Sequence, residues 1–310
     1  MAMGVRDPVI VAAIATKARL AGARVLAQSL RRHHPELELA LLLVDEPQGC
    51  FDPAAEPFEV IRLREVAHRD LVEQARSHAN PGTAAMSMKA AAIEHLLRRG
   101  HERVIYLDTD TIVTNPLTTL IDGLGRADVL LTPHHVEPVT GPDAALWGYY
   151  TRVNGALNTG VVAVREGAPA RAFLGWWGDR LAEDCDVDIP GGRFLDQRWA
   201  DLAPGMFEGV AVLADPGTNV AFWNLPQRPL SLRDGSLHAG DVPCRVLHLS
   251  GFDPAVPEQL THHVPERAMR AADAGLAGEL AEDYARELRR AGWDECSRWP
   301  WAYAPDRATM

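Results

Sequence analysis

Cysteine is scarce in this chain, with four residues in 310. Cys50, Cys185, Cys244 and Cys296 are scattered and form no C-x-x-C pair, which excludes a zinc knuckle or a disulfide framework and fits a reduced cytoplasm. Long apolar runs are lacking as well. Val9 to Ala15 is too short to span a bilayer and no cleavable signal pattern precedes it, so the expectation is a soluble, cytoplasmic protein without an integral membrane segment. Positive charge is in deficit: 31 Lys+Arg against 42 Asp+Glu leave a formal net charge of −11. Such a surface repels nucleic acid and anionic lipid, so neither is expected as a partner. A nucleotide substrate would have to be met by a metal ion or a few local basic residues. Internal repeats and low-complexity tracts are absent, which excludes solenoid arrays.

What is present is an ordinary globular composition, 47% hydrophobic and 24% charged, on a length that suits one large domain or one domain with an appendage. Short apolar runs at Val9–Ala15, Leu37–Asp45, Phe58–Leu63, Arg103–Asp110, Val129–Pro133 and Ala156–Arg165 read as strands. Helical patterns fall between them, at about Ala18–Arg32, Arg64–His78 and Thr83–Arg99, the last stopped by Gly100. Strands alternating with helices argue for an α/β fold around a mostly parallel sheet, with ligands at the carboxyl ends of the strands. The second half is less regular. It holds helices near Pro169–Asp184, Phe194–Leu202 and Arg267–Arg290, a strand at Arg245–Leu249, and an aromatic tail with Trp299, Trp301 and Tyr303 that is expected to pack on the body.

The chemistry centres on Val104-Ile105-Tyr106-Leu107-Asp108-Thr109-Asp110, a buried strand running into two carboxylates one residue apart. In an extended chain side chains two apart share a face, so Asp108 and Asp110 can converge on one cation, and their oxygens suit Mg²⁺ or Mn²⁺. Asp184-Cys185-Asp186 and Asp186-Val187-Asp188 have the same spacing in an acidic loop and read as solvated surface. Lys89 falls between Ile93 and Leu96 on the helical wheel, inside the apolar stripe, where a lysine either snorkels or serves a ligand. His248 ends a short apolar strand, and Asn158 and Asp196 are polar residues among apolar neighbours. Asn158 and Asp196 could hold sugar hydroxyls, with Gln197 beside the reacting carbon; the alternatives are a turn at Asn158-Thr159-Gly160 and a helix cap at Asp196. Asn219-Val220-Ala221-Phe222-Trp223-Asn224 reads as an acceptor wall, with rings to stack on sugar faces and amides to bond hydroxyls; core packing is the alternative for Phe222 and Trp223. The pairs His33-His34 and His262-His263 read as surface, and His134 as a possible pocket residue at a strand end.

The order of these segments resembles that of GT-A-fold glycosyltransferases, most closely the retaining enzymes of glycosyltransferase family 8. Ala13-Ile14-Ala15-Thr16 is similar to the family's nucleoside-binding start, Asp108-Thr109-Asp110 to its metal and diphosphate motif, and Leu157-Asn158-Thr159-Gly160-Val161 to its N-[ST]-G strand. Phe194-Leu195-Asp196-Gln197 is similar to its D-Q segment and His248-Leu249-Ser250-Gly251 to its late H-x-x-G. The resemblance implies a metal site of Asp108, Asp110 and His248, a donor site including Ala15, Thr16, Lys89, Asp108, Thr109, Asp110 and Gly251, and catalytic roles for Asn158, Asp196 and Gln197. It further implies a Mn²⁺- or Mg²⁺-dependent transfer of a sugar from a UDP- or GDP-sugar to a small-molecule or glycan acceptor, with retention. Residues 1–265 would form the GT-A catalytic domain and 266–310 a helical extension packed on it. Three positions depart from the pattern: Pro254 stands where a lysine is usual, Arg19-Leu20 replaces an aromatic residue, and Arg198 follows Asp196-Gln197 in place of a second aspartate.

Two other readings compete. Val104 to Val113 also resembles the opening of haloacid-dehalogenase-like phosphatases, in which the first aspartate attacks phosphorus. About a third of the chain precedes the motif, however, and Gly178-Asp179 lies in a helical pattern where a strand-borne acidic pair is needed. A nucleotidyltransferase would need a glycine-rich loop after the first strand, which Ala15-Thr16-Lys17-Ala18 is not. A non-catalytic sugar-nucleotide-binding protein would share the same metal site.

Overall fold

The structure is a computed structural model and describes residues 9–264 and 269–304. The boundary expected at 265/266 and the expected start of the last helix at Arg267 lie outside the described residues.

The first strand, β1 (Val9–Ala15), is buried along its whole length, and its alternate residues serve two separate cores. Ile10, Ala12 and Ile14 face one side of the sheet, and Val9, Val11, Ala13 and Ala15 the other. It pairs in parallel with β2 (Glu38–Leu43) and with β4 (Arg103–Leu107), and β2 pairs in parallel with β3 (Glu59–Arg62). Beyond β4, the long strand β7 (Leu157–Arg165) runs antiparallel to β4 and to β6 (Val129–Pro133), and the edge strand Val210–Val212 pairs in parallel with β6. The seven strands thus run Val210–Val212, β6, β7, β4, β1, β2, β3, mostly parallel as expected. A smaller sheet stands beside the end of β4. In it β5 (Thr111–Val113) pairs antiparallel with Val246–His248, which pairs in parallel with Val220–Ala221.

Helix α1 (Leu20–His33) joins β1 to β2 and packs one side against the sheet. Its Ala21 and Val25 meet the C-terminal helix Leu276–Arg290 through Ala281, Tyr284, Ala285 and Leu288. His34 just beyond α1 is buried rather than on the surface, because its Nε2 accepts the Leu117 amide at 2.8 Å. Two expected helices are divided. Arg64–His78 contains a short turn, Leu63–Glu65, and then α2 (Leu71–Ser77), started by Asp70, whose carboxylate accepts the Glu73 amide at 3.0 Å. Thr83–Arg99 is two helices, α3 (Pro81–Ser87) and α4 (Lys89–Arg98), separated at Met88. Ser87 Oγ donates back to the Ala84 carbonyl at 2.9 Å, a local bond that competes with the helical ladder. Further on come α5 (Thr118–Gly123), α6 (Ala144–Asn154), α7 (Ala168–Glu183) and the one-turn α8 (Gln197–Ala200). Among the described residues no helix is long and apolar enough to cross a membrane.

The aromatic tail packs, as expected, across the carboxyl end of β2. Trp301 Nε1 donates to the Val44 carbonyl at 2.9 Å, the Ala302 amide to Asp45 Oδ1 at 2.9 Å, and the Tyr303 hydroxyl to Glu46 Oε1 at 3.1 Å. Trp299 stacks on Phe51 with ring centroids 6.0 Å apart.

Candidate active site

Strand β4 ends at Leu107, so Asp108, Thr109 and Asp110 form a turn rather than the last residues of an extended strand. The Thr111 amide and hydroxyl both donate to the Asp108 carbonyl, at 3.0 and 2.7 Å, and fold the chain directly into β5. The two carboxylates converge because of this turn, not because of the strand period that suggested it. His248 arrives by sheet register. It lies opposite Thr111 in the β5 pairing, and the Leu249 amide donates to the Asp110 carbonyl at 2.9 Å. Asp108, Asp110 and His248 each offer one ligand atom within 4.8 Å of the others. Two hard carboxylate oxygens and one imidazole nitrogen form a donor set that suits a divalent ion of the Mn²⁺ type.

The hydrogen-bond chain behind His248 prepares its ring. The Gly160 amide donates to Asn158 Oδ1 at 3.0 Å, which fixes that amide's orientation from the main chain. Asn219 must then donate Nδ2–H to the same oxygen, 2.9 Å away, and to Thr132 Oγ1 at 2.8 Å, so its own Oδ1 faces His248 Nδ1 at 2.9 Å. Nδ1 therefore carries the proton and Nε2 points to the carboxylates, 3.1 Å from Asp110 Oδ1. The cradle leaves no room for a side chain at 160: a Cβ there would lie 2.4 Å from His248 Cε1 and 2.9 Å from both Asn158 Oδ1 and Asp108 Oδ2. Gly160 reaches this place through an irregularity in β7, where β6 advances from Leu131 to Thr132 while its partner moves from Val162 to Asn158.

With both ring nitrogens facing oxygens, the free site favours the imidazolium. Burial of the ring opposes this, but Asp110 and then Asp108 outweigh it and raise the His248 pKa. Asp110 is held below the usual carboxylate range: partial burial opposes ionisation, and His248 more than compensates. Asp108 is pushed up, first by burial and then by Asp110, against the pull of Lys89. Tyr106 donates to Asp108 Oδ1 at 2.6 Å from inside the core.

Below the turn, Lys89 is enclosed. It is 1% exposed, its Nζ lies 2.7 Å from Asp196 Oδ2 and 3.5 Å from Asp108 Oδ1, and it donates to the Thr159 carbonyl at 3.0 Å. Burial works against its charge, but Asp108 and Asp196 raise its pKa above the ordinary lysine value. Snorkelling is thereby excluded. A methionine at 89 would keep the apolar stem but leave two carboxylates without the ammonium that balances them. Asp196 also accepts from Thr159 Oγ1 at 2.5 Å, and its position follows Leu195, held at a left-handed φ of +49°. Gln197 closes the network, accepting from Asn158 Nδ2 at 2.8 Å and donating to the Asn154 carbonyl at 3.0 Å. Asn158, Thr159, Asp196, Gln197 and Lys89 therefore form one connected cluster with Asp108, Asp110 and His248.

Other expected residues lie at its margin. Ala15 and Thr16 end β1 and are buried, with the Ala15 carbonyl accepting the Val44 amide at 2.8 Å. The Thr109 carbonyl lies against α1, where a Cβ on Gly22 would come within 2.6 Å of it. Gly251, at φ +71°, accepts the His262 amide at 3.0 Å. Phe222 and Trp223 are core, 4% and 1% exposed; Trp223 meets the rings of His134 and His248 edge-on rather than offering a face to a sugar. His134 is held neutral there by burial, its pKa lowered to about 3. Asp179, the residue the phosphatase reading needs, pairs on the surface with Arg69 at 3.0 Å. Asp184 and Asp188 are bridged by Arg193 in a partly solvated loop.

Two functional-looking residues had no motif to announce their roles. Asn219 opens the segment expected to wall an acceptor, but its role of orienting His248 was not expected, and its left-handed φ of +58° is invisible in sequence. Lys17 is fully buried, with Nζ 2.9 Å from Asp45 Oδ1 and further bonds to the Glu46 carbonyl and Gln48 Oε1. The sequence holds two lysines, Lys17 and Lys89, and both are sealed in ion pairs flanking the site.

No family model matches the chain. Two proteins of Bacillus subtilis strain 168 are similar in sequence. The uncharacterised protein YfnD is 26% identical over 235 residues, 73% of this chain and 72% of that protein. The uncharacterised protein YfnF is 24% identical over 252 residues, 77% of this chain and 80% of that protein. Among solved structures, the galactosyltransferase LgtC in complex with donor and acceptor sugar analogues matches with a TM-score of 0.53, covering 90% of this chain and 96% of its own at 18% identity. The apo form of the glycosyltransferase GlyE of Streptococcus pneumoniae TIGR4 matches with a TM-score of 0.50 at 17% identity, over 94% of this chain and 64% of GlyE. The chain has the GT-A fold of these glycosyltransferases, the architecture its five motifs implied.

Proposed function

We propose that the protein transfers a sugar from a nucleoside diphosphate sugar to a hydroxyl group of a small molecule or glycan. The observation that carries this is the convergence of Asp108, Asp110 and His248 within 4.8 Å at the carboxyl end of β4, with the imidazole lone pair directed inward. These three residues would hold a divalent ion, Mn²⁺ rather than Mg²⁺ in view of the nitrogen ligand, and such an ion supplies positive charge to a departing diphosphate. Asn219 orients His248. Lys89 pairs with Asp196 and holds it in place, and Asn158 and Gln197 hold each other's amides beside it.

Retention of the donor's anomeric configuration is the stereochemistry this arrangement supports. An inverting enzyme needs a free carboxylate or histidine as general base. Asp196 is already paired with Lys89 and accepts from Thr159, which weakens it as a base and leaves it suited to stabilising positive charge on the sugar ring. The donor is a UDP- or GDP-sugar in this reading. Residues 266–310 act as an extension of the catalytic domain, its helix Leu276–Arg290 bracing α1 behind the metal turn. A thermal-shift panel of UDP-, GDP-, ADP- and dTDP-sugars with and without Mn²⁺ tests the proposal: stabilisation by one donor class only when Mn²⁺ is present is expected. Hydrolysis of that donor without acceptor separates an enzyme from a binding protein.

A further inference from the structure

A diphosphate brings negative charge to a turn that already holds two carboxylates. Beyond a divalent ion, such a site needs a fixed cation on its open side. Asp108 has 18% of its side chain exposed and Asp110 42%, so ligand approaches from the Asp110 side. Neither lysine can serve there. Lys89 is enclosed beneath Asp108, and Lys17 spends its three donors on Asp45, Glu46 and Gln48.

Arg19 is differently placed. It is exposed, and among the described residues it has no carboxylate partner. It closes the short turn Lys17–Arg19, which the buried Lys17–Asp45 pair and the Arg19 amide's 3.0 Å bond to the Thr16 carbonyl hold rigid. One turn further on, Gly22 rests against the Thr109 carbonyl, so this corner abuts the metal turn directly. The guanidinium lies 5.2 Å from the Trp293 ring centroid, a contact that limits its rotamers without neutralising its charge.

We propose that Arg19 binds the phosphates of the nucleotide, with Trp293 as the platform that aims its guanidinium. This rests on the reading of the site as one for nucleoside diphosphates. A planar guanidinium presents paired N–H donors matched to phosphate oxygens, and preorganisation on the ring reduces the entropy lost on binding.

Isothermal titration of UDP and GDP in the presence of Mn²⁺ tests the assignment, with uridine and guanosine as phosphate-free controls. Arg19→Met is expected to weaken the nucleotide that wild type prefers by about tenfold to a hundredfold, as for loss of a charged hydrogen bond. Binding of the matching nucleoside should change by no more than about twofold, and Arg19→Lys should restore part of the loss. Trp293→Leu, which keeps the charge but removes the platform, should fall between. Unchanged UDP or GDP affinity in Arg19→Met overturns the assignment while leaving the metal-site reading intact. An equal loss for nucleoside and nucleotide overturns it too, since that would mark Arg19 as a support for the fold or the base. If wild type binds neither UDP nor GDP with Mn²⁺, the underlying site reading fails instead.

Discussion

Replacing Lys89 by methionine keeps the aliphatic stem and removes one charge, and the structure makes that charge decisive for stability. The ammonium is 1% exposed, 2.7 Å from an Asp196 carboxylate that is itself 2% exposed, and 3.5 Å from Asp108. It also lies 4.8 Å from the Tyr106 ring centroid. Removing one partner of a buried pair strands the other, which typically costs about 3–5 kcal/mol. At roughly 2–3 °C per kcal/mol for a chain of this size, the expected fall in Tm is about 6–15 °C. The sign of the pH dependence follows. In Lys89→Met the stranded carboxylate has a folded-state pKa raised above its unfolded value, so the variant regains stability as pH falls and the acid takes up a proton. Calorimetry of wild type, Lys89→Met, Asp196→Asn and the double variant closes the cycle. The double variant should recover more than half of the loss, because a neutral amide in place of Asp196 leaves no unpaired charge there. A Tm for Lys89→Met within about 2 °C of wild type, a shift of roughly 1 kcal/mol or less, would refute the argument that the ammonium balances the two carboxylates.

Asp110→Asn should abolish turnover and Mn²⁺ binding while the fold survives, since that side chain is 42% exposed; full activity in EDTA would contradict the metal role. Gly160→Ala should lower Mn²⁺ affinity at least about tenfold by displacing His248, measurable by titration calorimetry or by electron paramagnetic resonance of the bound ion. Because Asp110 raises the His248 pKa against the effect of burial, Mn²⁺ competes with a proton at Nε2, so affinity should weaken as pH falls through that raised pKa. In the metal-free protein the imidazolium–Asp110 contribution to stability is present at low pH and lost as pH rises through the folded pKa of His248. Proton release on Mn²⁺ binding, measured in two buffers of different ionisation enthalpy, checks the first, and thermal melts of the metal-free protein across pH check the second. Asp196→Asn should slow transfer without changing the product anomer, as proton NMR of the product would report; an inverted product would transfer the base role to Asp196.

The parts of the site that sequence could reveal are those where a local pattern ends in chemistry. Val104 to Leu107 is an apolar run that stops at two acids, and His248 stops another, so both could be found by eye. The geometry that joins them is long-range. The acids meet because Thr111 bonds back to the Asp108 carbonyl, and His248 reaches them through pairing with β5. Neither is visible in any short window. Asn219 shows the limit most clearly: its amide links Thr132, Asn158 and His248, residues 29 to 87 positions away, from a backbone conformation no neighbour announces. Lys89 was legible as an anomaly on an apolar stripe, but its partner Asp196 lies in another segment, so the pattern showed the oddity without the ion pair. The helix pattern across Thr83–Arg99 was real, but it is interrupted at Met88, next to a Ser87 whose hydroxyl bonds back to the Ala84 carbonyl and whose own carbonyl accepts from Gln74. In β1, and in β4 from Val104 to Leu107, where the residues are buried on both faces, nothing competed with the pattern and strand identity was plain.

The tail across β2 bears on the order in which the protein is made. Val44, Asp45 and Glu46 emerge early in synthesis, but their partners Trp301, Ala302 and Tyr303 follow 257 residues later. Until then Asp45 can hold Lys17, but its contact with the Ala302 amide cannot form. Helices and neighbouring strands assemble faster than contacts across so long a stretch of chain. The corner at the end of the first β–α–β crossover is thus completed only after the rest of the sheet has been translated, and a nascent chain stalled before Trp301 would present that corner, still open, to chaperones and proteases.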